Sequence, residues 1–237
     1  MIKRFYMKIS VKNRKIGYTY FSQSGCFSFR GQKEIAFESR LEKDFLTSFA
    51  FSERVLDIEE QPFTLTYITS EGKEATYTPD FMVTFRPQTL DVSPLDKPMI
   101  VEVKPRKKLQ KEFGIYRERF KAMISYCRQN GMIFKIYDES RIHTPYFHNV
   151  VRIMRFKRHR YDPMERDVIL DYVHTAGQVS TGMIPEIFGG TDLDKAEIVG
   201  HVYHLLATKQ LAADLTLPLS LQTEVWVNTN YRYEETE

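Results

Sequence analysis

Apolar and polar positions change period several times along the chain. In FESRLEKDFLTSFAF, Leu41, Phe45, Leu46 and Phe49 fall at i, i+4, i+5 and i+8. That is one apolar stripe of a helix, with Ser39 placed to cap it. VLDIEEQPFTLTYIT then alternates in part and is rich in Leu, Ile, Thr and Tyr, which predicts a strand. EGK at 71–73 is a turn signal, and ATYTPDFMVTF is a second strand, so the two make a hairpin. A Pro-marked loop spans 86–98. PMIVEVKP is a short apolar strand between Pro98 and Pro105. In KKLQKEFGIYRERFKAMISYCRQNG, Phe113, Tyr116, Phe120, Met123, Ile124 and Cys127 recur at helical spacing, and Gly131 ends the helix. MIFKIYDES is a further strand. A helix followed by β-β-β-α-β predicts an α/β sandwich.

Beyond this the pattern turns helical. RIHTPYFHNVVRIMRFKRHRYDPMERD is basic and reads as helix up to Asp162-Pro163. The predicted boundary lies there, giving a domain over 1–160, with 1–35 as an arm, and a second over 161–237. ERDVILDYVHTAG is a helix ended by Gly177. Ser180-Thr181 are placed to cap a short helix, MIPEIF, and Gly189-Gly190 make a turn. DLDKAEIVGHVYHLLATKQL is a third helix, and a strand-like pair follows. Three helices and a terminal hairpin are the order of a winged helix-turn-helix.

Composition adds limits. At 237 residues, 42% hydrophobic and 14% aromatic, the chain can bury a core and is not wholly disordered. No run approaches the roughly 18 apolar residues of a membrane span. MIKRFYMKIS lacks a signal-peptide core, and Cys26 and Cys127 lie far apart without a CxxC. A reduced, cytoplasmic protein is the expectation. Net charge is +3, but residues 161–237 hold 13 acids and 4 bases, leaving 30 bases and 18 acids to residues 1–160. A basic half beside an acidic one points to a polyanion partner for the first and a protein partner for the second.

Candidate chemistry sits in the basic half. Side chains alternate along a strand, so Glu102 and Lys104 share one face, with Val101 and Val103 on the other. Charges on a short apolar strand are costly unless that face opens onto a site. Asp80, after a Pro in the neighbouring strand, and Glu42, on the preceding helix, join them. Carboxylates from adjacent strands suit Mg²⁺, a hard cation that takes oxygen ligands. Such a metal activates water on a phosphodiester, and Lys104 can orient that water or stabilise charge on the phosphate. A bare D…ExK on a solvated face is an ordinary ion pair. Helix–strand–PD–strand–ExK–helix is more specific. Glu38 shares a face with Glu42, so register decides which is the helix acid. Gln61 is placed near the site to position phosphate or water, or else is an ordinary strand end. Arg106, Lys107, Lys108 and Lys111 follow the ExK strand directly and are candidate phosphate contacts. Arg152, Arg155, Lys157, Arg158, His159 and Arg160 are a second basic run. His201 and His204, at i, i+3, read as packing residues ahead of a metal pair. There is no HExxH, Walker loop or GxGxxG.

FESRLEKDFL, VLDIEEQPFTLTY, YTPDFMV and IVEVKP together resemble the TnsA family. These are the endonuclease subunits of heteromeric bacterial cut-and-paste transposases, within the PD-(D/E)XK superfamily. The resemblance covers roughly 36–140, and the acidic half matches only in order and size. It implies a restriction-endonuclease-like mixed sheet flanked by helices, followed by a small winged helix-turn-helix domain. It also implies Mg²⁺, one or two ions, with Mn²⁺ as a substitute. The implied activity is cleavage of the 5′ ends of the element, on the non-transferred strand of duplex DNA. TnsB, the transposase, and TnsC, an AAA+ ATPase, are the implied partners, with no membrane role. Carried over by motif, Glu42 is the helix acid, Asp80 the TPDF acid and Lys104 the catalytic lysine. Glu102 occupies the position between them. Glu42, Asp80 and Glu102 are the metal ligands. The family admits Gln at the position of Glu102. The C-terminal helix that would read DNA starts with acids, so that domain is expected to dock protein. Two alternatives stay open: a stand-alone restriction or repair nuclease of the superfamily, and a non-catalytic adaptor bridging DNA ends.

Overall fold

Strands β1 (Lys8–Ser10), β2 (Gly25–Phe29) and β3 (Lys33–Phe37) precede helix α1 (Arg40–Phe51) in the computed structural model, which describes residues 8–10, 24–87 and 96–229. Most of the expected arm and residues 88–95 of the expected loop lie outside the described residues. β2 and β3 pair as a hairpin. Arg30 at its tip takes the left-handed region at φ 54°. Its guanidinium donates to the carbonyls of Ala50 and Ser52, satisfying the C-terminal end of α1.

Ser39 caps α1 as expected, accepting from the Glu42 N–H. Next come β4 (Val55–Glu60), β5 (Thr64–Ile68), β6 (Glu74–Tyr77), β7 (Phe81–Phe85) and β8 (Met99–Val103). Helix α2 (Arg106–Gln129), strand β9 (Ile133–Tyr137) and the short helix α3 (Glu139–Ile142) follow. The mixed sheet runs β4-β7-β8-β9, antiparallel except for β8 and β9, which are parallel across α2. β1, β5 and β6 form a separate antiparallel sheet.

Both faces of the mixed sheet are covered. Phe45 and Leu46 of α1 pack with Val83, Met99 and Val101 on one side. Ile100 packs on the other with Tyr116, Phe120 and Met123 of α2. β8 is buried along its whole length, the expected state of a central strand covered on both faces. Two positions of the expected α2 stripe are corrected. Phe113 is 54% exposed and Ile124 38%. The helix leaves helical geometry at Glu112, which takes Phe113 off the stripe; Ile124 lies beside the buried row of Tyr116, Phe120, Met123 and Cys127.

The two compact units part between Ile142 and His143 instead of at 160/161. The second holds α4 (Pro145–Met154), α5 (Pro163–Ala176), β10 (Val179–Ser180), α6 (Met183–Phe188), α7 (Asp192–Ala207), β11 (Leu211–Ala213) and β12 (Glu224–Val227). The earlier boundary has a physical cause. Asn149 of α4 donates to the Leu215 and Leu217 carbonyls and accepts from the Leu219 N–H, so α4 is built into the second unit. Charge composition changes at 161, but packing changes before α4. The three strands form one antiparallel sheet, β10-β12-β11. The expected cap of α6 is also corrected. The N-cap is Gly182, without a side-chain bond, and the Thr181 hydroxyl instead donates to the Ser220 carbonyl.

Candidate active site

The sequence pattern predicts one long hairpin from VLDIEEQPFTLTYIT and ATYTPDFMVTF, and the structure divides it in two. Pro62 and Pro79 each lack an N–H, so the ladder cannot run through. Gln61 adds a left-handed turn at φ 44°. β5 and β6 therefore pair in one sheet while β4 and β7 pair in another. Asp80 lies at this break, immediately before β7. Its backbone is fixed on both sides: its N–H donates to the Val101 carbonyl at 3.1 Å and its carbonyl accepts from Gln61 N at 2.8 Å.

Its side chain turns toward the end of β8. Asp80 Oδ2 accepts the Val103 N–H at 2.7 Å and lies 3.4 Å from Lys104 Nζ. The same ammonium lies 3.2 Å from Glu102 Oε1. Glu102 and Lys104 share a face as expected, and Lys104 bridges the two carboxylates. The Glu102 side chain is 2% exposed, against 20% for Asp80 and 23% for Lys104, so the cluster opens to solvent at Asp80 and Lys104. Burial, then the Glu102 charge, push the Asp80 carboxyl up to about 7. Burial alone would lower the Lys104 ammonium, but Asp80, Glu102 and Glu42 together hold it above the ordinary lysine range.

Glu42 is buried at the first turn of α1. One carboxylate oxygen accepts the Glu38 N–H at 2.7 Å and the other the Ser39 hydroxyl at 2.8 Å. Burial raises its carboxyl above the usual range, and its charge acts on both Asp80 and Lys104. Of the two candidate acids, Glu42 is the buried one. Glu38 precedes the N-cap, is exposed, and accepts a 3.3 Å bond from the Gln61 amide. Gln61 therefore meets Glu38 with its side chain and supports Asp80 only through its backbone.

Tyr77 was not singled out by the sequence. Its hydroxyl donates to Glu102 Oε2 at 2.6 Å, deep in the cluster. Burial and the Glu102 charge hold the phenol strongly in its protonated form. A tyrosine in a strand-like run carries no distinctive signal, which is why spacing alone misses it.

Among the expected phosphate contacts, Lys107, Lys108 and Lys111 are exposed on the first turns of α2. Arg106 is committed elsewhere. Its N–H donates to Glu139 and its guanidinium reaches Ser140 and Asp138, tying α2 to α3. In the second unit, Arg152 donates to the Leu219 carbonyl. His201 is 1% exposed, 2.7 Å from Glu165, and stacked on Tyr161 with ring centroids 4.4 Å apart, a packed position. Cys127 is free and buried, and burial pushes its thiol up to about 12.

No group of three His, Cys, Asp or Glu side chains among the described residues forms a ready metal cage. The donor chemistry of the cluster nonetheless suits a hard cation: every donor is a carboxylate oxygen, and burial and then like charge drive Asp80 upward. Here the Lys104 ammonium does the neutralising.

The raised Asp80 carboxyl sets a pH dependence without metal. Between its ordinary 3.8 and about 7, the folded chain binds this proton more tightly than the unfolded chain. Stability from this group is therefore full below the lower value and lost as pH rises through the upper one. Glu42, also raised, acts in the same direction. Urea midpoints in chelator should fall more from about pH 5 to about pH 8 in the wild type than in Asp80→Asn. Equal falls would mean that Asp80 titrates normally.

Comparison with protein families matches residues 52–139 to the TnsA-like endonuclease N-terminal domain. The matched segment holds Gln61, Tyr77, Asp80, Glu102, Lys104 and the basic start of α2; Glu42 lies before it. Comparison with curated proteins finds no match. Among the described residues, no helix is long and apolar enough to cross a membrane.

Proposed function

We propose, from the TnsA-like endonuclease segment and the cluster within it, that the chain is a Mg²⁺-dependent DNA endonuclease of a transposition complex. It nicks the 5′ ends of the element, on the non-transferred strand, alongside TnsB and TnsC. The observation that carries the reading is Lys104 bridging Asp80 and Glu102 at the solvent-facing edge of a buried acidic cluster.

Asp80 and Glu102 would hold the cation, with Glu42 completing the set, and the bound metal would supply Lewis acidity toward phosphate and water. The chain's own residues do the rest. Lys104, which neutralises both carboxylates here, would meet phosphate charge or orient water once Asp80 and Glu102 serve as ligands. The Val103 N–H fixes the Asp80 carboxylate so that it need not reorganise. Gln61 supports the Asp80 main chain from the opposite strand.

Lys107, Lys108 and Lys111 would take phosphates flanking the cut. Changing all three to alanine should weaken duplex binding and flatten its log–log salt dependence by roughly 0.9 for each phosphate no longer neutralised. An unchanged slope would assign these lysines to solvent.

The second unit is read as a winged helix. The order α5-β10-α6-α7-β11-β12, with β12 central in its sheet, supports this. Helix α7 opens with Asp192 and Asp194, the latter closing a capping box with Thr191. Two acids at that end repel phosphate, so this unit docks protein. The test of the whole reading is strand-specific cleavage of a labelled transposon-end duplex with Mg²⁺, TnsB and TnsC. A 5′-strand nick that needs this chain and its partners supports it. Efficient cutting of arbitrary duplex by the chain alone would overturn it in favour of a stand-alone nuclease of the superfamily.

A further inference from the structure

Glu102 is the most enclosed acid of the cluster, and both of its oxygens are held. Lys104 takes Oε1 at 3.2 Å and the Tyr77 hydroxyl takes Oε2 at 2.6 Å. Tyr77 stands on the last position of β6, just before the break that exposes Asp80. Its ring packs edge-on against Phe120 of α2, with centroids 6.2 Å apart, and the Arg119 guanidinium lies 5.7 Å from its centroid. The hydroxyl is therefore delivered from a strand outside the mixed sheet and locked by α2, which covers the Ile100 face of that sheet.

We infer that Tyr77 is a positioning residue of the nuclease centre, holding Glu102 Oε2 so that Oε1 and the Asp80 carboxylate face one cation together. The inference rests on the metal-dependent reading above. A group that orients a ligand lowers the cost of organising the site when the cation arrives, and its loss typically costs 10–100-fold in metal affinity or activity. A carboxylate without this second hold can rotate about its last bond and present either oxygen. Tyr77 also couples the β5–β6 sheet to the centre, so displacement of that hairpin would be felt at Glu102.

The test is Mn²⁺ binding by calorimetry on the full chain, comparing wild type, Tyr77→Phe, Phe120→Leu and Asp80→Ala. Tyr77→Phe should weaken Mn²⁺ binding by about 10-fold or more. Phe120→Leu, which loosens packing beside the ring and leaves the hydroxyl in place, should lower the melting temperature without that loss of affinity. Equal Mn²⁺ affinity in wild type and Tyr77→Phe overturns the positioning role while leaving the nuclease reading intact. Equal weakening in Tyr77→Phe and Phe120→Leu also overturns it, because packing alone then explains the effect. Should wild type and Asp80→Ala both fail to bind Mn²⁺, the metal reading itself falls, and this inference with it.

Discussion

Replacing Asp80 by alanine is expected to abolish the 5′-strand nick, by at least about 10²–10³-fold, the range for removing one group that stabilises charge in a transition state. In the proposed function Asp80 holds the cation, and it is the carboxylate of the cluster most open to solvent. The fold should survive the change. The variant leaves the Val103 N–H without its acceptor, a cost of about 1–3 kcal/mol. It also removes a carboxylate that burial and Glu102 had already made hard to ionise. Since joining of the 3′ ends belongs to TnsB in the proposed complex, the product should change from simple insertions to cointegrates. A nick of unchanged rate in a folded Asp80→Ala protein would reject the cluster as the cleavage centre and favour a DNA-bridging adaptor.

Phe45→Ala should destabilise the chain by about 3–5 kcal/mol, measured as a shift of the urea midpoint. Phe45 is fully buried on α1. Its ring stacks on Phe49 at 4.2 Å and Phe81 at 5.5 Å, with Tyr137 edge-on at 5.1 Å. It thus joins helix, β7 and β9 at one point, and little around it can close the resulting cavity. Total stabilities of about 5–15 kcal/mol make this a large fraction. The effect should extend to the site, because Glu42 lies one turn earlier on α1 and Phe81 directly follows Asp80. A loss below about 1 kcal/mol would show that α1 is not held by this aromatic cluster.

Much of the first unit is legible in one dimension because its signals are local. Leu41, Phe45 and Leu46 give α1 its period, Pro98 and Pro105 bracket β8, and Gly131 marks the end of α2 at φ 68°. Glu102 and Lys104 fall on one face because strand side chains alternate, whatever surrounds them. The TPDF and ExK segments carry the resemblance that the family match over residues 52–139 bears out. The boundary at 160/161 is misplaced for the opposite reason. Composition changes where charge changes, but Asn149 binds carbonyls more than 60 residues downstream, and no local pattern records that.

Sequence alone determined which side chains could do chemistry and which elements carry them: two carboxylates and a lysine on neighbouring strands, and an acid on the helix before. These follow from period and spacing, which are properties of the chain itself. Tertiary structure decided the rest. It broke the long hairpin at Pro62 and Pro79 so that Asp80 stands at an opening. It buried Glu42 and left Glu38 exposed, tied Arg106 to α3, and brought the Tyr77 hydroxyl onto Glu102. Each of these depends on which groups remain unsatisfied once the sheets and helices pack, and burial is defined only by the folded whole.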